Sequence, residues 1–209
     1  MAYLDLLIVL VLAYLVGSIP FGYLIGRAYG KDIRKEGSGN IGATNVTRVI
    51  GPWQGRLCFL LDFLKGALPV LLVSRHYGFV GIPSMLAGAA AVAGHMFPIY
   101  LGFKGGKGIS TAGGVALALS PHSVLAAAVV WVAVFLLTRY VSVASIAASA
   151  ALPLTAAVLF FTGKGRMTLA VLIFFCLLGA LAIWKHRANI DRLRKGTELR
   201  FGGKDGEKK

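Results

Sequence analysis

Residues 35–48 read KEGSGNIGATNVTR, a glycine-rich and basic stretch set between apolar runs. Its glycines lack a Cβ atom, which lets backbone N–H groups approach an anion closely. Hydroxyl and amide side chains add donors, and a guanidinium adds a planar cation suited to phosphate. A helix beginning at Asn45 would add its positive end, whereas the alternative interpretation is a flexible interfacial loop. The candidate phosphate-binding residues of this first motif are Gly37, Ser38, Gly39, Asn40, Gly42, Thr44, Asn45 and Arg48.

Residues 102–108, GFKGGKG, form a second motif of the same character. Lys104 and Lys107 flank Gly105 and Gly106 and would present two cations to one anionic group. The spacing differs from GxxxxGK[ST] and no strand precedes it, so a nucleotide-binding P-loop is a poor fit. An ordinary basic loop at the membrane surface is the alternative interpretation.

Residues 186–191, HRANID, contain H-x4-D, the signature of a large class of glycerolipid acyltransferases. Residues five apart on a helix lie about 140° around its axis, so Asp191 is not expected to orient His186. His186 and Asn189 do share a helix face, which Arg192 continues. We therefore predict that His186 and Asn189 face the anion site.

Three ionisable residues lie inside apolar segments and are predicted to support the site: Asp62, Lys65 and His95. Asp62 and Lys65 are three apart and share a helix face. Ionisable groups within a membrane span are costly and usually face the interior of the bundle. A purely structural ion pair and a purely structural histidine are the alternatives.

The elements that must position these residues are membrane spans. The chain is 57% hydrophobic and only 14% charged, with a mean hydropathy of +0.76, whereas soluble domains average about 25% charged residues. Apolar blocks of about 18 residues or more span a bilayer as helices. The sequence predicts an all-α bundle of seven transmembrane helices. Their ranges are 4–23, 57–73, 80–100, 109–119, 123–138, 141–161 and 167–184.

Basic residues orient this bundle. With seven spans and the N-terminus outside, 18 of the 22 lysines and arginines lie on the inner face, as the positive-inside rule requires. Fusing the fourth and fifth spans would divide the basic residues between the two faces. The C-terminus and all three motifs are therefore predicted to be cytoplasmic.

We also predict a single membrane domain over residues 1–199, followed by a mobile polar tail at 200–209 that touches anionic lipid at most. The net charge of +14 is in large part an effect of topology, so membrane lipids and not nucleic acid are the expected macromolecular surroundings.

Five segments together resemble one enzyme family: GSIPFGYLIGR at 17–27, GSGNIGATNVTR at 37–48, DFLKG at 62–66, GHMFPIYLGFKGGKG at 94–108 and HRANIDRLRKGTE at 186–198. The sequence resembles the bacterial membrane glycerol-3-phosphate acyltransferases that use acyl phosphate. This resemblance implies that acyl phosphate and glycerol 3-phosphate react at the sn-1 hydroxyl to give lysophosphatidic acid and inorganic phosphate. The reaction belongs to phospholipid biosynthesis and would occur on the cytoplasmic side of the bacterial inner membrane.

The resemblance also implies roles for the motif residues. Ser38, Arg48, Lys104, His186 and Asn189 would be catalytic, and the other motif residues would bind phosphate. No cofactor, metal or acyl-CoA is implied, and an enzyme that supplies acyl phosphate is a potential partner. The proton of the attacking hydroxyl would pass to a substrate phosphate oxygen, with His186 as the alternative base.

Two other classes compete with this interpretation. A transporter of a phosphorylated anion would also use basic residues at a cavity, but seven unequal spans do not show the repeated halves typical of transporters. Metal-dependent lipid phosphotransferases need several carboxylates, and Asp62 is the only one predicted deep within a span, since Asp5 lies at the very start of the first.

Overall fold

The computed structural model describes residues 3–77, 81–165 and 167–202. All regular structure in these ranges is helical, which confirms the predicted all-α class. The elements are α1 (Tyr3–Ser18), α2 (Phe21–Ala28), α3 (Ala43–Val49), α4 (Pro52–Tyr77), α5 (Ile82–Met96), a 3₁₀ turn (Ile99–Leu101), α6 (Ile109–Leu119), α7 (Pro121–Thr138), α8 (Val141–Phe161), α9 (Leu169–Lys185) and α10 (Arg187–Arg194).

Five helical segments within the described ranges are long and apolar enough to cross a membrane. A sixth candidate is the pair α9 and α10, which meet at a bend of 50°, and α6 is a shorter apolar helix. Each of the seven predicted spans thus has an apolar helix in its place, and the chain is a multi-pass membrane protein. Seven crossings and the direction of the termini stay predictions. The five segments are Leu4–Ala28, Pro52–Tyr77, Ile82–Leu101, Pro121–Thr138 and Val141–Phe161.

The second span is longer than its predicted range of 57–73. Helix α4 begins at Pro52, because proline in the first helical turn loses no intrahelical hydrogen bond. Arg56 and Arg75 therefore lie on this helix rather than in the flanking loops to which the sequence pattern assigns them.

Large apolar side chains cover the outside of the helices. Leu72, Leu137 and Phe161 are 66%, 83% and 81% exposed. Such a surface would be a liability in water, and in a bilayer it faces hydrocarbon.

The chain divides into two compact units, residues 1–121 and 122–209. In the first unit, α1 packs against α5, and α4 packs against both α5 and α6. Glycines permit the closest approaches, since a Cβ on Gly66 of α4 would overlap the Thr111 carbonyl of α6. A Cβ on Gly17 of α1 would overlap the backbone at Ala91 in the same way. This close packing by small residues is typical of membrane helices.

In the second unit, α8 packs against α9, and the Trp131 indole N–H of α7 donates to Ser145 Oγ of α8 at 3.2 Å. The first residues of the predicted tail at 200–209 contact the rest of this unit, and the mobility of the tail stays a prediction. The Phe201 N–H donates to the Arg139 carbonyl at 2.9 Å, and its ring packs edge-on against Phe135 at 5.5 Å. Residues 203–209 of that tail lie outside the described ranges, and the single domain over 1–199 stays a prediction.

Candidate active site

The first motif is braced by Asn45. Its side-chain oxygen accepts from the Ser38 N–H at 2.8 Å, and its amide donates to the carbonyls of Ile33 and Glu36 at 2.8 and 3.1 Å. Asn45 is 1% exposed. Both amide hydrogens are committed to the loop, so the phosphate contact predicted for this side chain has no donor left. Helix α3 also begins at Ala43, two residues before the predicted start.

The glycines of this motif differ in backbone conformation and in the space around them. Gly37 and Gly39 adopt positive φ of 58° and 69°, and a Cβ on Gly37 would overlap the Asn45 side-chain oxygen. Gly42 instead has extended backbone and caps α3; its N–H donates to Asn40 Oδ1 at 2.9 Å. The loop is therefore folded tightly, with Ser38 exposed on it.

The basic residues around the loop divide into two groups. Arg34 forms a bidentate pair with Asp32, with its Nη2 at 2.7 Å, and the Lys31 ammonium donates to the Val49 carbonyl at 2.9 Å. Within the part of the chain that the structure describes, the half-buried Arg48 guanidinium makes no hydrogen bond or ion pair. Arg48 is thus a half-buried cation of this motif that remains for an anionic ligand, as exposed Lys35 also does.

The Arg34 guanidinium is the main reason why the pKa of Asp32 is lowered to about 2. Asp32 is therefore ionised throughout the physiological range and neutralises its neighbour.

The second motif follows the 3₁₀ turn. Gly102 and Phe103 adopt positive φ of 59° and 63°, and the Phe103 N–H donates to the Pro98 carbonyl at 2.9 Å. Lys104 is exposed, whereas Lys107 is half-buried. Gly108, with φ of 78°, ends the loop and caps α6.

Both motifs are anchored on the same apolar cluster. Ile33, Ile41, Val46 and Cys58 form its buried part, and Leu101 packs against it directly before the second motif begins. The first unit therefore holds the two glycine-rich segments against one core.

The third motif lies in the second unit, where α9 ends and α10 begins. The Asn189 amide donates to Glu198 Oε1 at 2.6 Å, and Arg192 Nε donates to the other carboxylate oxygen at 2.8 Å. The shared face of Asn189 and Arg192 is thus used to bind Glu198. Asp191 instead pairs with Lys195 at 2.9 Å on the exposed side of the helix. That H-x4-D is not a catalytic pair in this chain stays a prediction.

Glu198 is absent from the sequence-based candidates, although the family-like segment at 186–198 ends at this residue. Burial raises the pKa of Glu198, but the neighbouring side chains of Asn189, Ser142 and Arg192 together outweigh burial and hold the pKa below its ordinary value. Glu198 is therefore an ionised anchor for Asn189 and Arg192.

His186 sits at the bend between α9 and α10 and is buried. Its Nδ1 lies 2.8 Å from the Ala182 carbonyl oxygen. A carbonyl can only accept, so Nδ1 carries the hydrogen, and in the neutral ring Nε2 carries the lone pair. The Ala182 carbonyl thus holds the imidazole at Nδ1.

The first two motifs belong to residues 1–121 and the third to residues 122–209. Their predicted meeting at one pocket therefore stays a prediction.

The comparisons with known proteins bear directly on these motifs. The family model described as glycerol-3-phosphate acyltransferase matches residues 7–196, a range that includes all three motifs. The chain belongs to the glycerol-3-phosphate acyltransferase family.

Individual glycerol-3-phosphate acyltransferases are similar over nearly the full length. The enzyme of that name from Aquifex aeolicus is 47% identical over 195 residues, which is 93% of this chain and 98% of that protein. The crystal structure of PlsY (YgiH), an integral membrane glycerol 3-phosphate acyltransferase, in its glycerol 3-phosphate form has a TM-score of 0.87 and 46% identity. Its lysophosphatidic acid form has a TM-score of 0.85 and 45% identity. Both structures cover 95% of this chain, which in turn covers 96% of theirs.

Proposed function

We propose that this protein transfers a fatty acyl group from acyl phosphate to the sn-1 hydroxyl of glycerol 3-phosphate, giving lysophosphatidic acid and inorganic phosphate. The observation that carries the proposal is the match, over 95% of the chain, to the glycerol 3-phosphate form of a membrane acyltransferase. The lysophosphatidic acid form of that enzyme corresponds to the product of the same reaction. The reaction is an acylation step of phospholipid biosynthesis.

For this reaction the protein mainly has to align the two substrates and stabilise negative charge. Acyl phosphate is a mixed anhydride, so phosphate is already a good leaving group. The glycerol hydroxyl attacks the acyl carbonyl carbon, the bond from that carbon to the bridging oxygen breaks, and its electron pair leaves with phosphate. Fixed cations and N–H groups that stabilise phosphoryl oxygens then supply most of the catalysis.

The phosphate ligands are drawn from the first two motifs. Arg48 offers a guanidinium without another partner in the described ranges, and exposed Lys104 offers a second cation. Ser38, Thr44 and Lys107 complete the proposed set, with the glycine-loop amides of both motifs. The acyl chain lies among apolar side chains, where each buried methylene contributes about 0.8 kcal/mol.

Asn189 is proposed to bind the glycerol moiety. Glu198 can only accept, so the amide nitrogen of Asn189 faces it and the Oδ1 atom faces the other way. That oxygen is buried and makes no hydrogen bond to any described residue. A buried acceptor without a partner costs about 1–3 kcal/mol, and a glycerol hydroxyl would satisfy it.

The proton of the attacking hydroxyl is proposed to pass to a phosphate oxygen of the substrate. The Ala182 carbonyl oxygen lies against Nδ1 of His186, and acyl phosphate brings phosphoryl oxygens of its own to the attacking hydroxyl. His186→Gln should therefore keep much of the activity and leave the shape of the pH–rate profile as it is in the wild type. Near-complete loss of turnover with unchanged substrate binding would instead identify His186 as the base.

The site is proposed to lie on the cytoplasmic side of the bacterial inner membrane, with seven spans and the N-terminus outside. The distribution of basic residues supports this orientation. In a Cys176→Ala background, a membrane-impermeant maleimide should label Gly163→Cys in intact cells and Phe103→Cys only after permeabilisation. The reverse pattern would contradict the orientation.

The activity itself is tested with purified protein, synthetic acyl phosphate, glycerol 3-phosphate and a chelator. We expect lysophosphatidic acid and inorganic phosphate to form in equal amounts and only when both substrates are present. Arg48→Ala should abolish turnover, whereas the matched variant Arg75→Ala, at the exposed end of α4, should retain it. Turnover with acyl-CoA in place of acyl phosphate would contradict acyl phosphate as the donor. Counterflow of glycerol 3-phosphate in proteoliposomes, without acylation, would indicate a transporter.

A further inference from the structure

A buried ionic cluster lies beneath the second motif, entirely within the first unit. Asp62 and Lys65 of α4 form an ion pair with 2.7 Å between Oδ1 and Nζ. The Lys65 ammonium also donates to the Ile19 carbonyl at 2.7 Å. His95 of α5 places its Nδ1 3.6 Å from the same Asp62 oxygen. Asp62, Lys65 and His95 are only 2%, 3% and 4% exposed, so the cluster is shielded from solvent.

The glycine loop rests on His95. The Gly106 N–H donates to the His95 carbonyl at 3.1 Å. A Cβ on Gly106 would overlap Nε2 of the His95 ring, and a Cβ on Gly105 would overlap the His95 carbonyl oxygen. The backbone between Lys104 and Lys107 therefore lies directly against this histidine, with no room for a side chain.

The cluster contains more than a structural ion pair requires. Asp62 and Lys65 already neutralise each other, and burying a further ionisable ring beside them is costly. The 3.6 Å separation exceeds hydrogen-bond length, and Nδ1 of His95 has no hydrogen-bond partner among the described residues. A shift of the ring by about 0.6 Å would close that gap and would move its opposite edge, which is in contact with Gly106.

We propose that His95 is a positioning residue, held by Asp62 and Lys65, that sets the conformation of the Lys104–Gly108 loop for binding the phosphate of glycerol 3-phosphate. The inference rests on the proposed function. The imidazole acts through the loop: it fixes the backbone amides of Gly105 and Gly106 and thereby the spacing of the two lysines. It does not itself touch substrate.

The test is a double-mutant cycle on His95 and Gly106. His95→Asn keeps an amide near the position of Nδ1 but removes the ring edge beneath the loop. Gly106→Ala introduces the methyl group that overlaps that edge. Each variant alone should raise the dissociation constant and the KM for glycerol 3-phosphate about tenfold, with a smaller effect on kcat. The double variant should remain about tenfold impaired rather than about a hundredfold, because the asparagine leaves room for the methyl group.

Matched controls separate positioning from general damage. His76→Asn changes an exposed histidine at the end of α4. Gly113→Ala adds a methyl group that meets only the Phe63 ring, at 3.6 Å. Both controls should bind glycerol 3-phosphate as the wild type does. His95→Asn should lower the unfolding temperature no more than His76→Asn does.

Calorimetric binding of glycerol 3-phosphate needs no turnover, so the two proposals can fail separately. Wild-type protein that binds glycerol 3-phosphate without acyl transfer would refute the proposed function and leave the cycle to decide this inference. Turnover with binding unchanged in His95→Asn would refute the inference alone. An increase of about a hundredfold in the dissociation constant of the double variant would also overturn the inference, as would a fall in kcat with KM unchanged. Either result is expected if the cluster is merely structural.

Discussion

Replacing Asn45 by alanine tests how the first motif is built. The substitution removes three hydrogen bonds at once, to the Ser38 N–H and to the carbonyls of Ile33 and Glu36. All three belong to the loop that carries the proposed phosphate ligands. The side chain is buried, so water cannot easily replace it in the folded loop.

The expected magnitude follows from those three bonds. A neutral hydrogen bond contributes about 1 kcal/mol net, so the loop loses about 3 kcal/mol of local stability. Each 1.4 kcal/mol is about a tenfold change in an equilibrium constant. The fraction of time that the loop is open should therefore rise by roughly a hundredfold.

Hydrogen exchange of the peptide covering residues 33–46 measures that opening directly. Asn40→Ala is the matched control, because it removes one bond of 2.9 Å to the Gly42 N–H and should raise exchange only about fivefold. Asn45→Asp should be at least as damaging as Asn45→Ala, since its second oxygen would face two carbonyl oxygens. Unchanged exchange in both Asn45 variants, with a raised KM for a phosphorylated substrate, would show that Asn45 donates to phosphate after all.

Three further predictions concern other parts of the chain. Asp191→Asn should change kcat/KM by less than about twofold, because an exposed i,i+4 pair contributes only about 0.3–0.5 kcal/mol; a large loss would restore H-x4-D as a catalytic pair. Glu198 has a lowered pKa, so its stabilisation is present above its ordinary pKa of 4.5 and is lost as the pH falls through the lowered value. Glu198→Gln should be less stable than wild type at neutral pH, with the difference shrinking in acid, as followed by thermal unfolding. Gly66→Ala should destabilise the protein by about 1–3 kcal/mol because its methyl group overlaps the α6 backbone, whereas Gly113→Ala should not, and equal effects would contradict the packing described.

The spans could be predicted because membrane helices leave a strong pattern in the sequence. The bilayer demands long apolar segments, and each of the predicted ranges contains a helix. The ends were harder to predict. Helix α4 starts at Pro52, outside its apolar block, because a helix can continue through polar residues once its first turn is formed.

The residue types of the candidate site could be predicted from the sequence, but the hydrogen-bond partners of each side chain could not. An asparagine that braces a loop and one that donates to phosphate look alike in a sequence, and only the contacts of Asn45 separate them. Glu198 was missed for a related reason. Its partners, Asn189 and Arg192, become neighbours only because the chain turns back after α10, and no periodic pattern reports that turn.

The path of the bridging oxygen tests the central claim most directly. Acyl phosphate labelled with ¹⁸O between carbon and phosphorus is incubated with the purified protein and glycerol 3-phosphate. Attack at the acyl carbon predicts that all of the label leaves in inorganic phosphate, while lysophosphatidic acid forms unlabelled. Label recovered in free fatty acid, or phosphate released equally well without glycerol 3-phosphate, would contradict acyl transfer as the reaction of this protein.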